Sequence, residues 1–151
     1  MNKKERNEKG FTLVELIAVV AILGILGAVF LPSIGNMTAK SKISTDVSTV
    51  KTIKKLIDVY SAEGNLPAMA TNDNAKTIGE NLFKAGYLES ETINLQTKGD
   101  LVYTAAGASS ASTLSLDVTG SSVDETIKTV AGKMANSDSA NEGWIKVSEA
   151  D

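Results

Sequence analysis

Two hydrophobic patterns follow one another along the first part of the chain. Residues 11–31 form an apolar run of 21 positions that contains a single charge, Glu15. At about 1.5 Å per residue, a helix of that length spans roughly the 30 Å hydrocarbon core of a bilayer. From Ile43 the apolar positions narrow to one stripe. Ile43, Val47, Val50, Ile53, Ile57 and Tyr60 recur at spacings of three and four, which is the signature of an amphipathic helix. Lys42, Asp46, Lys51, Lys54, Lys55 and Asp58 decorate the remaining positions. Gly64 supplies a helix stop, with Pro67 just beyond it. The pattern predicts one helix over about 11–62, apolar all round in its first half and one-sided in its second.

Pro32 lies inside that helix. Its ring removes a backbone hydrogen bond and clashes with the carbonyl of Ala28, which predicts a kink. Gly24, Gly27 and Gly35 weaken the same stretch by about 1 kcal/mol each relative to Ala. Gly and Pro are also common in membrane helices, so a bland reading and a functional one both stand here.

The remainder alternates short elements with turns. Residues 65–74 read as a loop. A helix is predicted over 75–84, with Ile78, Leu82 and Phe83 inward and Gly86 as its stop. Leu101, Val102 and Tyr103 form a short strand. Leu114, Leu116 and Val118 alternate with Ser115 and Asp117 as a half-buried strand. Residues 104–112 are rich in Ala, Ser and Gly and read as the turn between these strands. A helix over 123–135 carries Ile127, Val130, Ala131 and Met134 inward, opened by a capping box of Ser122 and Glu125. A last strand covers 144–148, with Ile145 and Val147 inward. The fold class is α+β: the long N-terminal helix packs its amphipathic half on a small antiparallel sheet. About 85 residues beyond Gly64 cannot build a deep core alone, so the stripe Val47, Val50, Ile53, Ile57, Tyr60 is expected to be part of it.

Composition narrows the chemistry. Cys and His are absent, which excludes disulfides, thiol catalysis and His-based metal sites. The formal charge is −3, with no basic patch interleaved with aromatics, so direct nucleic-acid binding is disfavoured. No Ser/His/Asp, Cys/His or phosphate-loop constellation exists, and no enzyme, cofactor or metal site is expected. Asn72-Asp73-Asn74 has calcium-ligand residue types without the full loop pattern and reads as a solvated turn. Asn36-Met37-Thr38 matches a glycosylation sequon by chance, inside the long helix. Lys51, Lys54 and Lys55 read as a solvated helix face, able to pair with acidic patches of a neighbouring subunit. Trp144 reads as core or rim.

The segment ahead of the apolar run is short and charged. Lys3, Lys4, Arg6 and Lys9 stand against Glu5 and Glu8, and the segment ends in Gly10. Only Lys40 and Lys42 occur in the ten residues after Pro32, so the positive-inside rule puts the first ten residues in the cytoplasm and the C-terminal body outside. An ordinary signal peptide, cut near Ser33-Ile34-Gly35, is the competing reading. Its apolar region would span only about 7–15 residues, and it would not explain Glu15. A carboxylate within a membrane span is a functional hypothesis by default and needs a named partner; the bland alternative is a carboxylate snorkelling at the interface.

The stretch Lys9-Gly10-Phe11-Thr12-Leu13-Val14-Glu15 closely resembles the type IV pilin family, and the resemblance extends over Gly24, Pro32 and the plan of a long helix followed by a small domain. It implies a leader, residues 1–10, cut between Gly10 and Phe11 by a prepilin peptidase that also N-methylates Phe11. Residues 11–32 would be the membrane-spanning and filament-core helix, 33–64 its amphipathic continuation and 65–151 the head. Glu15 would be the family's glutamate, pairing with the α-amine of Phe11 of the neighbouring subunit or, in some models, of the same one. Gly24, Gly27 and Pro32 would let the helix unwind on assembly. The implied function is a structural shaft subunit of a type IV pilus. It is stored as a single-pass membrane protein, handed to a pilus assembly platform and polymerised into an extracellular filament. Adhesion, twitching, biofilm formation and DNA uptake are family roles. The alternatives are a pseudopilin of a type II secretion or competence system and an anchored surface domain that never polymerises. Glu142-Gly143-Trp144-Ile145 departs from the Trp-Gly-Asn-Pro-like segment usual in major secretion pseudopilins. The absence of cysteine departs from the disulfide-closed Gram-negative pilins.

Overall fold

A computed structural model describes residues 11–64, 70–107, 110–137 and 139–147, at 31 and 32 for the backbone alone. The element order is α1 (Leu13–Ala62), α2 (Ala75–Lys84), β1 (Asp100–Thr104), β2 (Thr113–Asp117), α3 (Glu125–Ser137) and β3 (Ile145–Lys146). The chain divides into two compact units, Met1–Gly35 and Asn36–Asp151, and α1 contributes to both. The helical backbone continues through 31 and 32. The kink expected from the Pro32 ring rests on a side chain outside the described residues, as does the Gly10 side of the expected cut.

In the second unit the amphipathic stripe of α1 is core. Ile43, Val50 and Ile57 are 0% exposed, and Val47, Ile53 and Tyr60 are buried with them. The stripe begins one turn earlier than its pattern suggested, at buried Ala39. Each such aliphatic side chain contributes about 1.5–3 kcal/mol on burial. Facing residues include Ile78 and Leu82 of α2, Leu101 and Tyr103 of β1, Leu114 and Leu116 of β2, and Ile127, Ala131 and Met134 of α3. Tyr60 meets Tyr87 edge-on, with ring centroids 5.5 Å apart. The Tyr87 hydroxyl donates to Glu63, which holds the phenol above its ordinary range.

The helix ends follow local chemistry. The Asn74 side chain caps α2, accepting from Thr77 N at 3.1 Å. Gly86, at φ +81°, closes it: its N–H donates to Phe83 O and the Tyr87 N–H to Leu82 O. Gly64, at φ +69°, follows α1 in the same left-handed conformation, which only glycine adopts freely. Phe83 is not inward, as its spacing suggested, but 39% exposed. The start of α3 also corrects the expected capping box. Asp124 stands immediately before the first helical residue, and its carboxylate accepts from Thr126 N at 2.8 Å. Glu125 instead pairs with Lys128 on the helix surface.

The sheet is mixed rather than antiparallel, in the order β1-β2-β3. β1 and β2 pair antiparallel from Asp100↔Asp117 to Thr104↔Thr113. β3 pairs parallel with β2 through Leu116↔Ile145 and Asp117↔Lys146. The physical reason is the connection: α3 lies between these strands, and a helical crossover returns the chain in the same direction. β3 is two residues long, shorter than the expected 144–148, and residues from 148 onward lie outside the described residues. Burial pushes the Asp117 carboxyl up, but bonds from the Thr119 hydroxyl and N–H and the charge of Lys146 outweigh it and hold it below its ordinary value.

Candidate functional site

The first described turn of α1 builds a reciprocal cap. Thr12 stands before Leu13, the first helical residue, and Glu15 is three positions on. The Thr12 N–H donates to Glu15 Oε2 at 2.9 Å, and the Thr12 hydroxyl donates to the same oxygen at 2.8 Å. The Glu15 N–H returns a longer bond to the Thr12 hydroxyl at 3.3 Å. This is a T-x-x-E capping box, which satisfies amides that the helix start leaves without intrahelical partners. A carboxylate in the first turn also complements the positive end of the helix dipole. Sequence reasoning found no local reason for Glu15; the signal was Thr12 three residues before it.

Around this cap the surface is apolar. Phe11 is 82% exposed, and Leu13, Val14, Leu16 and Ile17 are all exposed, as are large apolar side chains onward to Phe30. Soluble monomers rarely display contiguous apolar patches beyond a few hundred Å². This is the described helix long and apolar enough to cross a membrane, and none of its most apolar stretch is buried. Gly24 and Gly27 lie in regular helix, and a Cβ at either would meet nothing within 4 Å among the described residues. No packing among the described residues therefore calls for them.

The other singled-out residues take structural places in the second unit. Asn72, at φ +74°, and Asp73 bond the backbone of Tyr103, extending the edge of β1. Among the described residues there is no cluster of three or more acidic side chains able to hold a metal. Asn36 and Met37 are exposed on α1. Lys54 pairs with Asp58, and its side chain is only 15% exposed. Lys51 donates to Ala140 O at 2.9 Å and lies 5.3 Å from the centre of the Trp144 ring. These two lysines are thus half-buried rather than solvated, while Lys55 is exposed. Asp46 was expected on the polar face of α1. It is 1% exposed and takes three hydrogen bonds from the 96–97 backbone and the Thr97 hydroxyl.

Comparison with known families places the weight on the first unit. A family model described as the prokaryotic N-terminal methylation motif matches residues 6–31, a span that takes in Gly10, Phe11, Glu15, Gly24 and Gly27 and stops short of Pro32. No solved structure matches the chain. The motif is the type IV pilin and pseudopilin signature, a family that is structural rather than enzymatic, and it implies processing by a prepilin peptidase followed by pilin assembly. The apolar helix that follows fits membrane anchoring. The signature at residues 6–31 supports a type IV pilin-like protein, of the pilus or the pseudopilin kind.

Proposed function

We propose that the chain is a shaft subunit of a type IV pilus, processed between Gly10 and Phe11, methylated at Phe11 and polymerised through the helix of residues 11–31. The observation that carries this reading is the pairing of a continuous exposed apolar helix with one carboxylate, Glu15, in its first turn. In the membrane, lipid covers that surface. In the filament, copies of the same helix would cover it through van der Waals packing. The contact is head-to-tail and does not close on itself, so it propagates as a filament. Gly24 and Gly27, unconstrained among the described residues, either admit a neighbouring helix closely or allow the segment to unwind on assembly.

Glu15 sets the register in this reading. Cleavage creates an α-amine on Phe11, largely cationic near neutral pH. The intrachain cap uses Oε2, which leaves Oε1 for an amine from the next subunit. Opposite charges attract far more strongly in the low-dielectric core than in water, and an unpaired buried charge is costly, so one axial position is favoured. The body would face outward before assembly and decorate the filament afterwards.

Intact mass and N-terminal sequencing of filaments sheared from cells test this directly. The expected product begins at Phe11 and carries one added methyl group. A retained leader, or a chain beginning near Asn36, contradicts the reading.

A further inference from the structure

A second site lies in the head. Lys51, Lys54, Lys55 and Asp58 of α1 form one wall of a cleft of about 540 Å³, closed on the other side by the start of β2 and by residues 142–144. That volume falls within the range of about 300–1,000 Å³ usual for small-ligand sites. We propose that this cleft binds an acidic saccharide, its anionic group held by Lys55 and Lys51 and a sugar ring lying against the Trp144 indole.

The Trp144 backbone is held at both of its polar groups. Its carbonyl accepts from Leu116 N at 2.8 Å, its N–H donates to Asn141 O at 3.0 Å, and Gly143 before it turns at φ +75°. The next residue, Ile145, is buried, whereas the Trp144 side chain stays half-exposed at the cleft. An aromatic plate held this way suits the apolar face of a sugar ring.

The charges point the same way. Lys54 is neutralised by Asp58. Lys51 is held by a carbonyl and the indole, neither of which cancels its charge. Lys55 is exposed and makes no ion pair among the described residues. Two ammonium groups therefore remain outside an ion pair, against the one further carboxylate of the cleft, Glu142, which leaves a net positive charge for an anion. Asp58 and Glu142 line the same cleft, with Ser112 and Thr113 beside them. Two carboxylates repel a densely charged strand such as a nucleic acid, but they accept hydrogen bonds from hydroxyls. An acidic peptide brings few hydroxyls to satisfy them. A polyhydroxylated ligand with one or two negative groups meets the whole set.

The chain contains one tryptophan, so fluorescence excited beyond the tyrosine absorption reports on the surroundings of Trp144 at this cleft. Digalacturonate, neutral lactose and inorganic phosphate are titrated separately into the full chain in detergent micelles. A saturable fluorescence change with millimolar digalacturonate, absent with lactose and phosphate, is expected. Lys55→Glu should weaken it by about tenfold or more, Lys55→Gln by less, and Lys84→Glu on α2 not at all. No saturable change with digalacturonate overturns the proposal. So does an equal response to lactose or to phosphate, or unaltered binding by both Lys55 variants.

Discussion

Asp46 and Thr97, far apart in sequence, are joined by two hydrogen bonds to one carboxylate oxygen: Asp46 Oδ2 accepts the Thr97 N–H at 2.8 Å and the Thr97 hydroxyl at 2.6 Å. Its other oxygen accepts the Gln96 N–H at 2.9 Å. Both residues are 1% exposed. A helix that meets the head mainly through apolar contacts is thereby tied to the loop ahead of β1 as well. Hydrogen bonds to a charged group contribute more than neutral ones, and stranded buried donors are costly.

Asp46→Ala should therefore destabilise the head by about 2–4 kcal/mol, because it leaves the N–H and hydroxyl of buried Thr97, and the N–H of Gln96, without their acceptor. Thr97→Val should be milder, since it removes only the hydroxyl bond and keeps both backbone bonds. Urea unfolding of the detergent-held chain, followed by Trp144 fluorescence, measures both. Equal stability of Asp46→Ala and the unaltered chain would show that the carboxylate tie contributes nothing.

The cap of α3 gives a pH dependence with a definite sign. The backbone N–H of Thr126, then its side chain, holds the Asp124 carboxyl below its ordinary value of 3.8, against a small opposing effect of desolvation. A carboxyl with a lowered folded value stabilises fully above its unfolded value and loses that contribution as pH falls through the folded one. Asp124→Ala should lower the melting temperature at neutral pH, and the gap from the unaltered chain should close as pH drops below about 4. A gap that stays constant into strong acid would rule out the charged cap.

Much of this architecture was legible because apolar spacing and glycine stops agree. The ends of α1 and α2 follow from the stripe Ile43 to Tyr60, from Gly64 and from Gly86. What escaped was polar chemistry inside apolar periodicity. Asp46 lies three residues after Ile43 and four before Val50, squarely in the buried stripe, but its charge argued for the surface; only a partner distant in sequence makes its burial tolerable. Glu15 had its cap partner written three residues earlier, in Thr12. The parallel pairing of β3 was implied by the helix between it and β2, yet two residues of strand carry almost no alternation to read. Phe83 was assigned inward on helical spacing, and the α2 face turned out narrower.

The central claim is that Glu15 fixes the filament register, and the direct measurement is the ratio of pelletable surface filaments to membrane-held subunit in cells expressing Glu15→Ala. Insertion should persist, since the change removes a charge from an apolar helix. Cleavage after Gly10 should persist as well. Filaments should fall by more than about tenfold, because the buried α-amine of Phe11 then has no partner. Thr12→Val separates the two roles of the carboxylate: it removes the hydroxyl bond of the cap, keeps the charge and should retain most filaments. Normal filament numbers from Glu15→Ala at normal subunit levels would contradict the account.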